Sequence, residues 1–268
     1  MLHLVNSNKG GLNFKGISAP EIHWKSIFKT SEDSLTSSVF GLLFYLPTEL
    51  FWTIIRNACY SDGMPNGCGN MIGFEFWPRW DNENETQTEP DIFIQFEDFD
   101  LIVEAKRYDY DQQYEDQWKA EINAYYLLRS ESKRKVYLLA IGGIRRGEEN
   151  DSTLTYPDVE RETTVFKSRW RKLLGEITKV HKKLIKSPDL LTTCPAINNI
   201  LNDLVLSFRI HGFVTSDLLN TLPTAYSIRT KATIFGESPF KKIFTWNAFI
   251  ASYTLIDANS ITTLLKPI

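Results

Sequence analysis

Two apolar runs, Ile92-Phe93-Ile94-Gln95-Phe96 and Leu101-Ile102-Val103, flank the acidic stretch Glu97-Asp98-Phe99-Asp100. Each run is rich in β-formers and the stretch between them has turn chemistry, so the pattern predicts a β-hairpin. Past it, Gln113, Gln117, Glu121 and Tyr125 recur every four residues. That spacing puts them on one stripe of a helix starting near Tyr114, with Trp118, Ile122, Tyr126 and Leu127 as its packing side. Residues 136–143 are continuously apolar, as in a strand buried on both faces. Strand, helix and strand in that order imply a right-handed parallel crossover.

Upstream, Ser31 can cap a helix with Glu32 and Asp33 in its first turn and Leu35, Val39, Leu42, Leu43 and Leu46 at helical spacing. A strand is expected from Met71. Downstream, Phe166, Trp170, Leu173, Leu174, Ile177, Val180 and Leu184 recur at helical period, so residues 161–186 read as one amphipathic helix. Its other face carries Arg171, Lys172, Lys179, Lys182, Lys183 and Lys186. Residues 146–159 are polar and read as an exposed loop and internal boundary. Another helix is expected over residues 198–210. Residues 243–256 form a further segment with no assigned type, and the chain has no internal repeat.

The hairpin carries an acid at its entrance, in Glu89-Pro90-Asp91, and Glu104-Ala105-Lys106 at its exit. Side chains alternate along a strand, so Glu104 and Lys106 share a face, and the hairpin folds Asp91 back beside Glu104. Two carboxylates and one ammonium at one spot suit Mg²⁺ or Mn²⁺, hard cations that keep several waters and need few protein ligands. A cation so held polarises a phosphoryl oxygen, while Lys106 orients or helps deprotonate the attacking water. The implied chemistry is phosphodiester hydrolysis. An exposed strand with a surface ion pair would also place these charges here, but the nearly continuous apolar run before Glu104 suits an interior strand.

Pro90-Asp91, a strand-length gap and Glu104-Ala105-Lys106 resemble the PD-(D/E)xK nuclease superfamily, the restriction-endonuclease-like phosphodiesterases. The resemblance spans about residues 30–145. It implies that Asp91 and Glu104 bind Mg²⁺ (or Mn²⁺) and that Lys106 acts on the water. It further implies a Gln on the following helix facing the site, which Gln117 fits best, and a further metal-side carboxylate from the first helix, for which Glu32 is nominated. The helix dipole favours an acid at Glu32 in any case.

Composition narrows the setting. At 268 residues and 43% hydrophobic content the chain can bury a sizeable core. No apolar run approaches membrane-spanning length, and the first residues lack a basic and apolar leader, so no membrane association and a cytoplasmic location are expected. Three cysteines and four histidines show neither a disulfide framework nor metal-ligand spacing. A net charge of −3 argues against coating nucleic acid by bulk charge. Its distribution is uneven, with fourteen acids in residues 81–121 against Lys106, Arg107 and Lys119. That excess repels DNA unless cations neutralise it. The basic face, through Lys179, Lys182, Lys183 and Lys186, is the candidate phosphate-binding surface, which Arg129, Lys133, Arg134, Lys135, Arg145 and Arg146 could extend. A solvated charged face is the alternative. Trp77, Arg79 and Trp80 could stack on bases, though packed aromatics at a sheet edge explain them as well.

The expected architecture is α/β, with a restriction-endonuclease-like mixed central β-sheet flanked by helices and a largely helical C-terminal extension. The nuclease core would occupy residues 1–150, and residues 151–268 the extension, which can belong to the same domain. The resemblance implies a metal-dependent nuclease acting on nucleic acid, more readily DNA, in prokaryotic phage defence or restriction, and able to work as a homodimer. The competing expectation is a catalytically silent restriction-like domain that binds nucleic acid or a protein partner in a defence assembly.

Overall fold

Ser31 opens the first described helix, α1 (Glu32–Leu43): its side-chain oxygen accepts the Ser34 N–H at 3.3 Å, and Glu32 and Asp33 occupy the first turn. The computed structural model describes residues 30–81, 87–130, 134–156, 161–187, 189–190 and 194–214. The expected segment at 243–256 lies outside them, as does Lys133. A second helix, α2 (Thr48–Ala58), leads into β1 (Met71–Phe76) and the short pair β2 (Trp80–Asp81) and β3 (Gln87–Thr88). The expected hairpin is β4 (Ile92–Phe96) and β5 (Asp100–Ala105), and its acidic turn is one residue shorter than the pattern suggests. Asp100 is the fully buried first residue of β5.

The helix expected near Tyr114 is α3 (Glu115–Leu128), followed by β6 (Val136–Ile141). Its faces are divided otherwise than the spacing suggests. Tyr125 is buried with Trp118 and Ile122, while Leu127 is exposed. The four-residue stripe therefore belongs to the face turned towards the sheet.

A six-stranded mixed sheet runs in the order β1-β4-β5-β6-β8-β7, with β7 (Ser152–Tyr156) and β8 (Arg161–Ser168) completing it. β5, β6 and β8 are parallel, and β1, β4 and β7 pair antiparallel to their neighbours. Two expectations are corrected here. Residues 161–186 are not one helix: 161–168 form β8, and only α4 (Trp170–Ile185) is helical. Thr163, Thr164 and Val165 are β-branched, and β6 offers an unpaired parallel edge from Tyr137 to Ile141 that β8 fills. Phe166 matches the helical period of α4 yet packs from the sheet, with its ring 5.3 Å from that of Tyr137. Within the supposed loop at 146–159, residues 152–156 form the edge strand β7. The extension is thus not simply helical, since two strands precede α4 and α5 (Pro195–Ile210) among the described residues.

Strand alternation divides the core. Ile92, Ile94, Leu101, Val103, Leu139 and Ile141 point towards α1, α2, α4 and α5. Phe93, Ile102, Leu138, Ala140 and Val165 point towards α3 and Trp80. Both helical layers thus sit over β5, whose end carries the charged residues. Among the described residues no helix is long and apolar enough to cross a membrane.

Candidate functional site

Ile92 pairs with Val103 in the hairpin register, so Asp91, one residue before β4, arrives level with Glu104. Asp91 Oδ2 accepts the Ala105 N–H at 2.8 Å, which ties the acid of one strand to the backbone beside the acid of the other. Trp77 grips Asp91 from β1's end. Its backbone N–H donates to the Asp91 carbonyl at 3.0 Å, and its indole Nε1 donates to Oδ1 at 3.2 Å. Trp77 holds φ at 50°, a left-handed conformation unfavourable for a bulky residue, and this double grip accompanies it.

Lys106 leaves β5 with its ammonium donating to Glu104 Oε1 and lying 3.8 Å from Glu32 Oε1. Glu32 Oε2 accepts the Arg107 N–H at 2.7 Å, so the first turn of α1 is fastened to the residue after Lys106. From α3, Gln117 Nε2 donates to Glu104 Oε1 at 2.7 Å. Gln113 Nε2 donates to the Glu104 carbonyl at 3.0 Å, and its own oxygen is held by Trp118 Nε1 at 2.7 Å. Asp91, Glu104, Lys106, Glu32 and Gln117, the residues that the sequence pattern singles out, therefore converge at one end of the sheet.

Glu121 joins them without having been singled out. It sits one turn beyond Gln117 and is fully buried, with Gln117 and Glu104 as loose partners of its carboxyl group. The four-residue spacing from Gln117 is the signal that points to it. That signal is ambiguous because the same stripe ends in Tyr125, which packs and bonds elsewhere. Trp77, a candidate base-stacking residue in the sequence, is buried and positions Asp91 instead.

Four carboxyl groups thus gather at this end of β5, and three of them, Glu104, Glu32 and Asp91, act on the Lys106 ammonium. Burial raises Asp91 well above the usual carboxylate range, with the Glu104 charge adding to it and the Ala105 N–H opposing. Glu121 is raised likewise, by burial first and then by Glu104 and Asp91. Burial also raises Glu32, against the opposing Lys106 charge. For Lys106, burial favours the neutral amine, but Glu104, Glu32 and Asp91 outweigh it and hold the ammonium. Carboxyl groups that burial holds protonated beside one another can exchange those protons for an added cation, and once ionised without it they repel a bare phosphate.

The converging donors are carboxylate oxygens, which fit a hard divalent ion. Among the described residues no group of three acidic, histidine or cysteine side chains is placed to hold a metal ion as it stands. A cation that retains several waters needs no such cage.

The basic face is placed elsewhere. Trp170, at the start of α4, reaches the site by donating its indole N–H to the Lys106 carbonyl at 2.7 Å. At about 1.5 Å of rise per residue, Lys179 lies ~14 Å and Lys186 ~24 Å further along the axis. The structure therefore does not bring Lys179, Lys182, Lys183 and Lys186 to the carboxylates. Arg129 and Arg134 are engaged with Asp100 at the far end of β5. The Cys59 and Cys68 thiols are buried and pushed up to about 12, in keeping with inert reduced cysteines.

No family model matches the chain, and no solved structure matches it. It is similar to an uncharacterized protein of Pasteurella multocida (strain Pm70), with 35% identity over 154 residues covering 53% of this chain. The match spans 58% of that relative's length.

Proposed function

We propose that the chain is a metal-dependent nuclease with a restriction-endonuclease-like fold, hydrolysing phosphodiester bonds in nucleic acid, DNA above all. The observation that carries this reading is the convergence of Asp91, Glu104 and Lys106 at one strand end, with Glu32 and Gln117 closing round them. Asp91 and Glu104 would hold Mg²⁺ or Mn²⁺, with Glu32 beside them. The ion supplies Lewis acidity to the phosphoryl group and to the attacking water.

The chain's own groups do the rest. Lys106, held charged between Glu104 and Glu32, positions the water and offsets negative charge developing on the phosphate. Gln117 fixes the Glu104 carboxylate in one rotamer, and Trp77 fixes Asp91, so neither must reorganise when the substrate arrives. A role in phage defence or restriction, and action as a homodimer, are what the superfamily resemblance implies.

Supercoiled plasmid incubated with the purified protein tests the reading. Nicking or cutting is expected with Mg²⁺ or Mn²⁺ and not with EDTA, and Asp91→Ala, Glu104→Ala and Lys106→Ala should each abolish it. Cleavage that persists in all three variants would remove the site assignment. An inert wild-type protein would favour a silent binding domain instead.

A further inference from the structure

The segment 107–114, Arg-Tyr-Asp-Tyr-Asp-Gln-Gln-Tyr, connects Lys106 to α3 and exposes three tyrosines, Tyr108 at 60%, Tyr110 at 42% and Tyr114 at 64%. Single exposed apolar side chains are ordinary on a protein surface. Three aromatic rings within eight residues, directly after the candidate water-positioning lysine, are a local concentration that packing does not require.

The loop bearing them is held in place along its length. The Gly143 N–H donates to the Tyr108 carbonyl, and the Gln112 and Gln113 N–H groups donate to the Gly143 carbonyl at 3.0 and 3.2 Å. Tyr108 N–H donates to Gln112 Oε1 at 2.9 Å. Asp109 is fastened twice, its carboxylate accepting the Trp170 N–H at 3.0 Å and its carbonyl accepting from Arg169 Nε at 3.2 Å. At Gly142, φ is +73°, and a Cβ would collide with the Lys106 carbonyl and stand 2.9 Å from that of Tyr108. Only glycine admits this close approach. The aromatic rings are thus presented to solvent from a fixed backbone, which lowers the ordering cost of any ligand that covers them.

Charge selects the ligand. Arg169 and Arg146 lie 4.4 and 5.3 Å from the Tyr110 ring centroid, and Arg107 lies 5.6 Å from that of Tyr108. Arg145 and Arg171 extend largely exposed beside the loop, each paired with one of its carboxylates, Asp111 at 3.2 Å and Asp109 at 3.3 Å. Aromatic faces interleaved with guanidinium groups match a chain of alternating bases and phosphates. Bases in an intact duplex are already stacked on their neighbours, so only an unpaired base can lie on a tyrosine ring.

We infer that Tyr108 and Tyr114 form a stacking platform for unpaired bases, and that the site takes single-stranded nucleic acid such as a strand end, gap or loop. This rests on the nucleic-acid reading above and narrows its substrate. Tyr110, already covered by Arg169 and Arg146, lies outside the platform and holds the Arg146 guanidinium beside it.

Binding with Ca²⁺, a larger and weaker Lewis acid, in place of Mg²⁺ keeps the acids neutralised and separates the platform from catalysis. The probes are a fluorescein-labelled oligothymidylate, an abasic strand of equal length and a blunt duplex. The wild-type protein should bind oligothymidylate at least about tenfold more tightly than the abasic strand, and Tyr108→Ala and Tyr114→Ala should each weaken it by about 5- to 100-fold while Tyr108→Phe retains affinity. Duplex affinity should stay unchanged in the alanine variants. Equal binding of abasic and base-bearing strands, or alanine variants that bind oligothymidylate like wild type, would overturn the inference. A protein that nicks plasmid but ignores bases loses the platform alone. One that cleaves neither plasmid nor single strands with Mg²⁺, yet binds single strands through the tyrosines, loses the catalytic reading and keeps the platform.

Discussion

Glu121 stands in a costly place: a carboxyl group with no exposure and only loose partners in Gln117 and Glu104, facing Glu104 and Asp91 across the α3–β5 contact. A buried polar group left unpaired costs about 1–3 kcal/mol, and such groups persist where the site gains something else from them. Because burial raises Glu121 in the folded state, folding takes up protons. Its stability contribution is full below the ordinary glutamate range and is lost as pH rises through the raised folded value. Glu121→Gln should therefore match wild type near pH ~4 and exceed it by about 1–3 kcal/mol at neutral pH, as read by urea denaturation in EDTA. A difference independent of pH would show that Glu121 is not held protonated. The acids at 91 and 104 are legible in the sequence because strand alternation and the hairpin announce them, whereas Glu32 is nominated through the superfamily resemblance. Glu121 and Trp77 are not, since a helix stripe does not say which members pack and a tryptophan's indole partner is set only by folding.

At the scale of elements, the hairpin and α3 are readable because their hydrophobic periods differ sharply from one another. The stretch 161–186 hides its strand because its first half alternates too irregularly to announce one. Its β identity comes from the β6 edge it pairs with, with Tyr137 opposite Thr164 and Ile141 opposite Ser168. What remains of the basic helix, α4, is fixed by a buried face of Trp170, Leu173, Leu174, Ile177 and Leu184. The four candidate phosphate-binding lysines start beyond its first turns, away from the carboxylates, so they can add affinity without taking part in chemistry. Replacing Lys179, Lys182, Lys183 and Lys186 together with alanine should leave the fold intact. It should weaken nucleic-acid binding uniformly across sequences and flatten its salt dependence by roughly one unit of log-log slope for each phosphate no longer neutralised. An unchanged slope would show a merely solvated face.

Across the whole molecule, β5 is anchored at one end and carries the candidate site at the other. Asp100, fully buried, accepts from Tyr125 Oη at 2.8 Å and Arg134 Nε at 3.1 Å, with Arg129 at 3.7 Å. These partners come from α3 and the approach to β6, so one carboxylate ties the crossover to the sheet. Asp100→Ala would leave the buried Tyr125 phenol without its acceptor and take the carboxylate from Arg134 and Arg129, and should lower stability by about 1–3 kcal/mol in urea denaturation. A loss under about 1 kcal/mol would show that water replaces the carboxylate there.

The amino-acid sequence by itself determined the hairpin, the capped first helix, the strand–helix–strand unit and the juxtaposition of Asp91, Glu104 and Lys106. Each follows from periodicity and turn chemistry within a few tens of residues. Tertiary structure alone decided the strand identity of β7 and β8, the inward turn of Glu121, the burial of Asp100 and the distance of the basic lysines from the site. Those features depend on which edge is left to pair and which face another element covers, and both are set by contacts between residues far apart in the chain.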